Sequence, residues 1–538
     1  MKKTVSGYRF LILLEISVVI LCIIPGACKK DPEIIDKPFV RLLENESIQS
    51  TLLKRNVNYA VLLPENYNTS TNTFPVVYLL HGFGDNQTAW YKFGLIQYYS
   101  DLYASETMPA IYIMPQGFNS YYINKFNGNF PYMDFFTNEL VPEIDSIYRT
   151  KKDKSQRAVM GFSMGGYGAF ILPALNPEIF TVSVSLSMSF RTDEQYIAES
   201  QDAFNYQWAS NFGGNGSVGS SRITDYFKLN SPFYFFKEGD LEPFNGIRFF
   251  IDCGDDEESL SFTNNSLHSI MRDQSIAHEY RVSNGGHSWD YWKKSLPDAF
   301  RFIANSFQGI NYDDTPEVVD AGITVPNGNI EFINLTGTEI QSAVLIPPGY
   351  DTLSSTYPVI YFVHDNLAGN SEEQREQAFT FLYNSMLSSK LPKAFVMDIP
   401  FEPALIEESK LQEIISQFDL AFKTKNTKNG RMLIANGAGG RFAASFVVSD
   451  TSLIGSCCLF NSLLDDSTSS SDGRVFYYLY CGDDGQSYRG IQNLYYDLRK
   501  KGNDYEYRVA KGSDSFGSFM SGLSSSIPIL KKRLSITS

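Results

Sequence analysis

Arg157-Ala158-Val159-Met160-Gly161-Phe162-Ser163-Met164-Gly165-Gly166-Tyr167-Gly168-Ala169-Phe170 decides how the chain is read. A brief apolar run leads into Gly-x-Ser-x-Gly, and small residues and aromatics able to open a helix follow it. This pattern predicts a sharp strand-to-helix turn, with the Ser163 hydroxyl pushed out above a sheet. Gly161 and Gly165 would let strand and helix approach closely around a strained residue. So short a pattern also arises by chance, so its surroundings must decide it. Residues 73–80 and 110–115 are continuous apolar runs, as expected of strands buried on both faces. Residues 58–64 read as a strand ending at a proline, and residues 134–148 as an amphipathic helix. Buried strands alternating with helices predict an α/β fold with a mostly parallel sheet.

A serine hydroxyl is a weak nucleophile at neutral pH and needs an adjacent base, most often histidine. The chain has five histidines: His81, His268, His278, His287 and His364. Only His287 lies in a Gly-rich loop after a strand, in Asn284-Gly285-Gly286-His287-Ser288-Trp289-Asp290. It also follows the serine, as the chain order serine, acid, histidine requires. The base needs a carboxylate to fix its tautomer. The run from Arg248 to Gly254 reads as a strand ending at a glycine turn, and Asp255-Asp256-Glu257-Glu258 follow it. A triad acid should stand just beyond that strand, and four consecutive acids leave the choice open. The oxyanion hole should come from the backbone N–H groups of Met164 and of Phe83, the latter within His81-Gly82-Phe83-Gly84.

Together these motifs resemble the esterase family that includes esterase D, the enterochelin esterases, and the feruloyl and acetyl xylan esterases of carbohydrate esterase family one. The resemblance spans about residues 45–308 and keeps the family's motif order. It implies a serine esterase of the α/β-hydrolase superfamily. The family's acid usually stands three residues after the strand-end glycine, which here is Glu257; Asp256 beside it is kept as a candidate. The aromatic stretch from residue 190 to about 242 resembles the insertion that covers the site in these esterases. Trp90, Trp208, Trp289 and Trp292 all lie in this half, and their faces suit sugar rings or a phenolic acyl group. They are therefore candidate substrate-binding residues.

At 538 residues the chain is too long for one ordinary core. A 43% apolar and 20% charged composition is that of a globular chain. The net charge of −15, with no basic stripe, argues against nucleic acid as a partner. Lys2, Lys3 and Arg9 precede an apolar run that ends in Pro25-Gly26-Ala27-Cys28, which resembles a bacterial lipoprotein signal. In that reading residues 1–27 are removed and Cys28 carries lipid. The charged cluster after Cys28 is similar to that of surface lipoproteins of the Bacteroides type, which implies an exported protein anchored to the outer membrane or cell surface. Cys253, Cys457, Cys458 and Cys481 have no metal-knuckle or disulfide spacing and read as buried thiols, so neither a metal nor a cofactor is expected.

The second half echoes the first. Residues 356–364 echo 73–81, Arg431 to Gly440 lies over the elbow with Gly437 in place of Ser163, Tyr480 to Asp484 echoes the acid turn, and Asp514 falls where His287 stands. Two tandem α/β-hydrolase domains are expected, the second degenerate: it keeps strands, turns and acid but lacks nucleophile and base. The expected organisation is signal 1–27, tether 28–50, catalytic domain 51–308, linker 309–334 and non-catalytic domain 335–538. The expected activity is hydrolysis of feruloyl or acetyl esters on polysaccharide or oligosaccharide through an acyl-enzyme. A siderophore-ester hydrolase or general carboxylesterase is the nearest alternative. A non-catalytic surface carbohydrate-binding protein is the alternative of another class.

Overall fold

The computed structural model describes residues 41–536 except 97, 100–108, 314, 336–340, 352–354, 366–370, 402–407 and 472. The expected signal segment, Cys28 and most of the tether lie outside the described residues.

The first half supplies eight strands: β1 (Leu42–Ser50), β2 (Arg55–Leu62), β3 (Val76–Leu80), β4 (Ile111–Pro115), β5 (Arg157–Phe162), β6 (Val182–Leu186), β7 (Arg248–Gly254) and β8 (His278–Ser283). The second supplies β9 (Ile330–Asn334), β10 (Gln341–Leu345), β11 (Val359–Asp365), β12 (Phe395–Phe401), β13 (Arg431–Gly437), β14 (Ser456–Ser462), β15 (Phe476–Gly482) and β16 (Tyr505–Ala510). Every residue of β3, β4, β5 and β6 is buried, so β3 and β4 are apolar throughout, while the serines of β6 are buried as donors to Ala169 O and Gly166 O. Helices cover both faces, and each half has its own apolar core: Val77, Leu79, Met160 and Phe300 in one, Ile360, Phe362, Ile434 and Phe519 in the other. Each such side chain contributes about 1.5–3 kcal/mol by leaving water.

All sixteen strands form one sheet, in the order β1-β2-β4-β3-β5-β6-β7-β8-β16-β15-β14-β13-β11-β12-β10-β9. The run β4-β3-β5-β6-β7-β8 is parallel, with the β1–β2 hairpin added antiparallel at its edge. The run β12-β11-β13-β14-β15-β16 is parallel in the same way, with β9 and β10 antiparallel at the far edge. The two runs thus have the same strand order. They meet where β8 pairs antiparallel with β16, Val282 opposite Val509.

Two segments differ from expectation. Residues 42–50 of the expected tether are strand β1, and the last five residues of the expected linker are strand β9. Both are outer strands, largely exposed or half-buried, whose pairing comes from the neighbouring strand's free edge, a signal that local sequence does not carry. The expected linker also docks: Tyr312 donates its hydroxyl hydrogen to Asp483 (2.9 Å).

Candidate active site

Ser163 sits between β5 and the helix Met164–Leu175 with φ 59° and ψ −121°, a conformation that a non-glycine residue adopts only under constraint. The constraint is visible. The Ser163 N–H donates to Leu186 O (2.9 Å), while its carbonyl accepts from Tyr167 N (3.1 Å) and Ser189 N (3.0 Å). The flanking glycines are steric necessities. A Cβ on Gly161 would lie 2.2 Å from Gly165 O, and one on Gly165 would lie 2.2 Å from Leu80 O.

The Ser163 hydroxyl donates to His287 Nε2 at 2.9 Å, and His287 Nδ1–H donates to Glu257 Oε2 at 2.7 Å. The other oxygen of Glu257 accepts from the Gly254 N–H (2.9 Å) and from the Ser187 hydroxyl, which in turn accepts from the Trp292 indole N–H (2.8 Å). Glu257 is buried, so its charge depends on these donors, whereas the His287 side chain remains 38% exposed. Asp256, the other candidate acid, is exposed, and its backbone N–H donates to Gly285 O (3.1 Å). The structure therefore corrects the open choice: Glu257 reaches the histidine and Asp256 does not. Such a relay can take the hydroxyl proton as the oxygen attacks a carbonyl, leaving an imidazolium facing a carboxylate.

The expected oxyanion loop lies against the elbow. A Cβ on Gly82 would stand 2.8 Å from the Phe162 ring and 3.4 Å from Ser163 Cβ, so the loop that leads into Phe83 packs on the elbow. The N–H of Met164 opens the helix on the other side. His81 shapes this loop from behind. Its Nε2 accepts from Gly117 N (2.8 Å), so Nδ1 carries the hydrogen and donates to Gly82 O (2.8 Å). Burial pushes its pKa down to about 4 and keeps it neutral. His268 is likewise buried, against His278 (2.6 Å), and lies apart from this site.

Residues 50–303 match the family described as "Putative esterase". That segment, just under half of the chain, is an esterase domain. It is similar to an acetyl esterase of Caldicellulosiruptor saccharolyticus, 24% identical over 270 residues that make up 47% of this chain and 95% of the relative. It is also similar to an endo-1,4-beta-xylanase/feruloyl esterase of Xylanibacter ruminicola, 37% identical over 114 residues, 20% of this chain and 15% of that longer protein. Among solved structures, a ferulic acid esterase aligns over 49% of this chain and 98% of its own at 25% identity, with a TM-score of 0.42. The reaction of the esterase is hydrolysis of a carboxylic ester.

The four tryptophans of the esterase need correcting. Trp90, Trp208 and Trp292 are buried at 1%, 0% and 5% exposure, so they pack the core and cannot present faces to a substrate. Trp292 instead supports Glu257 through Ser187. Trp289 is half-buried and stacks on the exposed Phe93 at 5.4 Å. An exposed aromatic surface adjoins the His81–Gly84 loop instead: Phe83 packs at 5.5 Å on Tyr206, which the helical segment over residues 193–246 holds 75% exposed. Ser187 was not legible as a site residue, because nothing in Ser185-Leu186-Ser187-Met188-Ser189 distinguishes it until β6 and β7 lie side by side.

In the second half of the esterase Gly437 ends β13 with φ 60°, close to that of Ser163. His364 donates from Nε2 to Asp398 Oδ1 at 2.5 Å, and Asp514 accepts from Ser487 N and Oγ, both at 2.7 Å. A cavity of about 460 Å³ lies here, lined by His364, Asn436, Gly437, Asn461 and Asp514 among others. One expectation fails. A Cβ on Gly482 would lie 1.9 Å from Gly512 O, as one on Gly254 would lie 2.0 Å from Gly285 O. That equivalence puts Gly485, not an acid, at the place of Glu257. Among the described residues, the four cysteines are free and buried, and no group of His, Cys, Asp and Glu could hold a metal ion.

Proposed function

We propose that the esterase works by a serine acyl-enzyme mechanism on feruloyl or acetyl groups carried by polysaccharide. Ser163 attacks the ester carbonyl while His287 takes its proton, and Glu257 holds the imidazole in the productive tautomer and stabilises the imidazolium. The backbone N–H groups of Phe83 and Met164 receive the negative charge that develops on the carbonyl oxygen. His287 returns the proton to the leaving alcohol, then activates the water that releases the acid. The observation that carries this reading is the continuous relay from the Ser163 hydroxyl through His287 to a buried, fully donated Glu257.

The acyl and polysaccharide preference draws support from the acetyl esterase and the xylanase/feruloyl esterase to which the chain is similar. The exposed Tyr206 and the adjoining Phe83 offer ring surface for a sugar or phenolic group. The second half, residues 335–538 with strand β9 added, is proposed as a non-catalytic copy, because glycine, glycine and aspartate occupy the places of the serine, glutamate and histidine. Export with lipid on Cys28 is the proposed location, on the strength of the N-terminal pattern; no helix among the described residues is long and apolar enough to cross a membrane.

The test is turnover of p-nitrophenyl acetate, methyl ferulate and acetylated xylan by the chain lacking residues 1–27, beside Ser163→Ala. The variant should lose at least about 10³-fold in kcat. Equal rates for the two proteins would exclude the mechanism, and turnover of p-nitrophenyl acetate with none of methyl ferulate or acetylated xylan would exclude the feruloyl or acetyl polysaccharide assignment. Incorporation of labelled palmitate, abolished by Cys28→Ser, checks the anchor.

A further inference from the structure

Where β8 meets β16, each strand sends an arginine across to a carboxylate of the other half. Arg281 Nη1 reaches Asp483 Oδ2 at 2.7 Å, and Arg508 Nη1 reaches Asp255 Oδ2 at 2.5 Å. The same carboxylate oxygens also accept backbone N–H groups across the seam, from Tyr280 to Asp483 (3.0 Å) and from Tyr507 to Asp255 (3.1 Å). The remaining oxygen of each turns back into its own half: Asp483 Oδ1 accepts from Gly512 N (2.8 Å) and Asp255 Oδ1 from Gly285 N (3.2 Å). The two clasps correspond by a pseudo-twofold rotation about the seam, with Tyr312 an added donor to Asp483 only, and both carboxylates are almost wholly buried.

They end on different things. The Asp483 clasp holds the loop that carries Asp514. The Asp255 clasp holds both loops of the relay, since Asp255 stands two residues before Glu257 and Gly285 two residues before His287. Asp256 N donating to Gly285 O (3.1 Å) binds the same two loops together. An uncompensated charge at Asp255 would be unfavourable in this burial, so the Arg508 cation is what lets the carboxylate sit between the loops.

We infer that the second half serves the reaction of the first. Arg508 is a positioning residue that, through Asp255 and without touching substrate, sets the spacing of Glu257 and His287. This rests on the Ser163–His287–Glu257 mechanism proposed above. A displacement of about 1 Å in such a constellation can cost about 100-fold in rate.

The comparison of Arg508→Gln with Arg281→Gln in the full chain tests it, because both break one arm of the same seam. Arg508→Gln should lower kcat by about 10-fold or more with KM within about threefold, and slow phosphonylation of Ser163 by a fluorophosphonate in parallel. Arg281→Gln should stay within about twofold of wild type in both. Arg508→Lys should recover part of the loss. Should Arg508→Gln fail to fold, Asp255→Asn, which keeps the shape and removes the charge, is read the same way against Arg281→Gln. Equal losses in the two glutamine variants, or full activity in Arg508→Gln, would overturn the inference while leaving the mechanism standing. Full turnover by Ser163→Ala would instead overturn the mechanism, and this inference with it.

Discussion

Glu257 and Asp256 are neighbours of like chemistry, yet only one faces the histidine. The turn after Gly254 points Glu257 inward, where Gly254 N–H and the Ser187 hydroxyl satisfy it, and leaves Asp256 in solvent. Replacing Glu257 by glutamine removes the charge that stabilises the imidazolium and puts a donor where an acceptor is needed. Glu257→Gln is expected to lose about 10²–10⁴ in kcat, whereas Asp256→Asn should stay within about threefold. Steady-state kinetics on p-nitrophenyl acetate separates them. The candidate nucleophile and base were readable because each is tied to a local pattern, the elbow and the Gly-Gly-His loop. The acid was not, because its choice depends on Ser187, which lies 70 positions away.

Within the elements, the elbow is a contact between backbones. Gly161→Ala would drive a Cβ into Gly165 O, an atom that cannot move without shifting the helix Met164–Leu175. Destabilisation above about 4 kcal/mol is expected, seen as failure to express in soluble form or as a sharply lowered urea midpoint. Strand β7 offers a second test. Asp252 is buried there with Ser295 as a donor (2.8 Å), and burial raises its pKa to about 7. The folded protein therefore keeps a proton that the unfolded chain loses near pH 4. Stability should fall as pH rises from about 4 to about 7, by roughly 4 kcal/mol from this group. Asp255, raised to about 6 mainly by burial, adds to the slope in the same direction. Asp252→Asn should flatten the Asp252 share, measured as unfolding free energy at pH 5 and pH 8. Strand positions were legible from apolar runs, but an aspartate inside β7 gave no sign of being held away from water.

At the scale of the whole molecule the two halves share one sheet and one seam. Without residues 330–536, β8 would present an unpaired edge, with Arg281 and Asp255 stripped of their partners across the seam. An exposed edge of that kind invites pairing with other chains. The first half expressed alone is expected to aggregate or to elute as oligomers on size exclusion, where the full chain gives a single smaller species. The repeat was visible in sequence because strand and turn motifs recur in order. The seam was not, because Arg508 and Asp255 are 253 positions apart and each looks like an ordinary surface charge beside a strand.

Local sequence determined what depends on near neighbours: which segments are buried strands, where the chain must turn on glycine, and that a serine and a histidine follow the carboxyl ends of strands. Tertiary structure alone decided which carboxylate joins them and that three of the four tryptophans are core and not surface. It also decided that two halves with matching strand order are one continuous sheet. The physical reason is range. Propensity, periodicity and turn sterics act over a few residues, while burial, the pairing of edge strands and the neutralisation of a buried charge are settled only when distant segments meet.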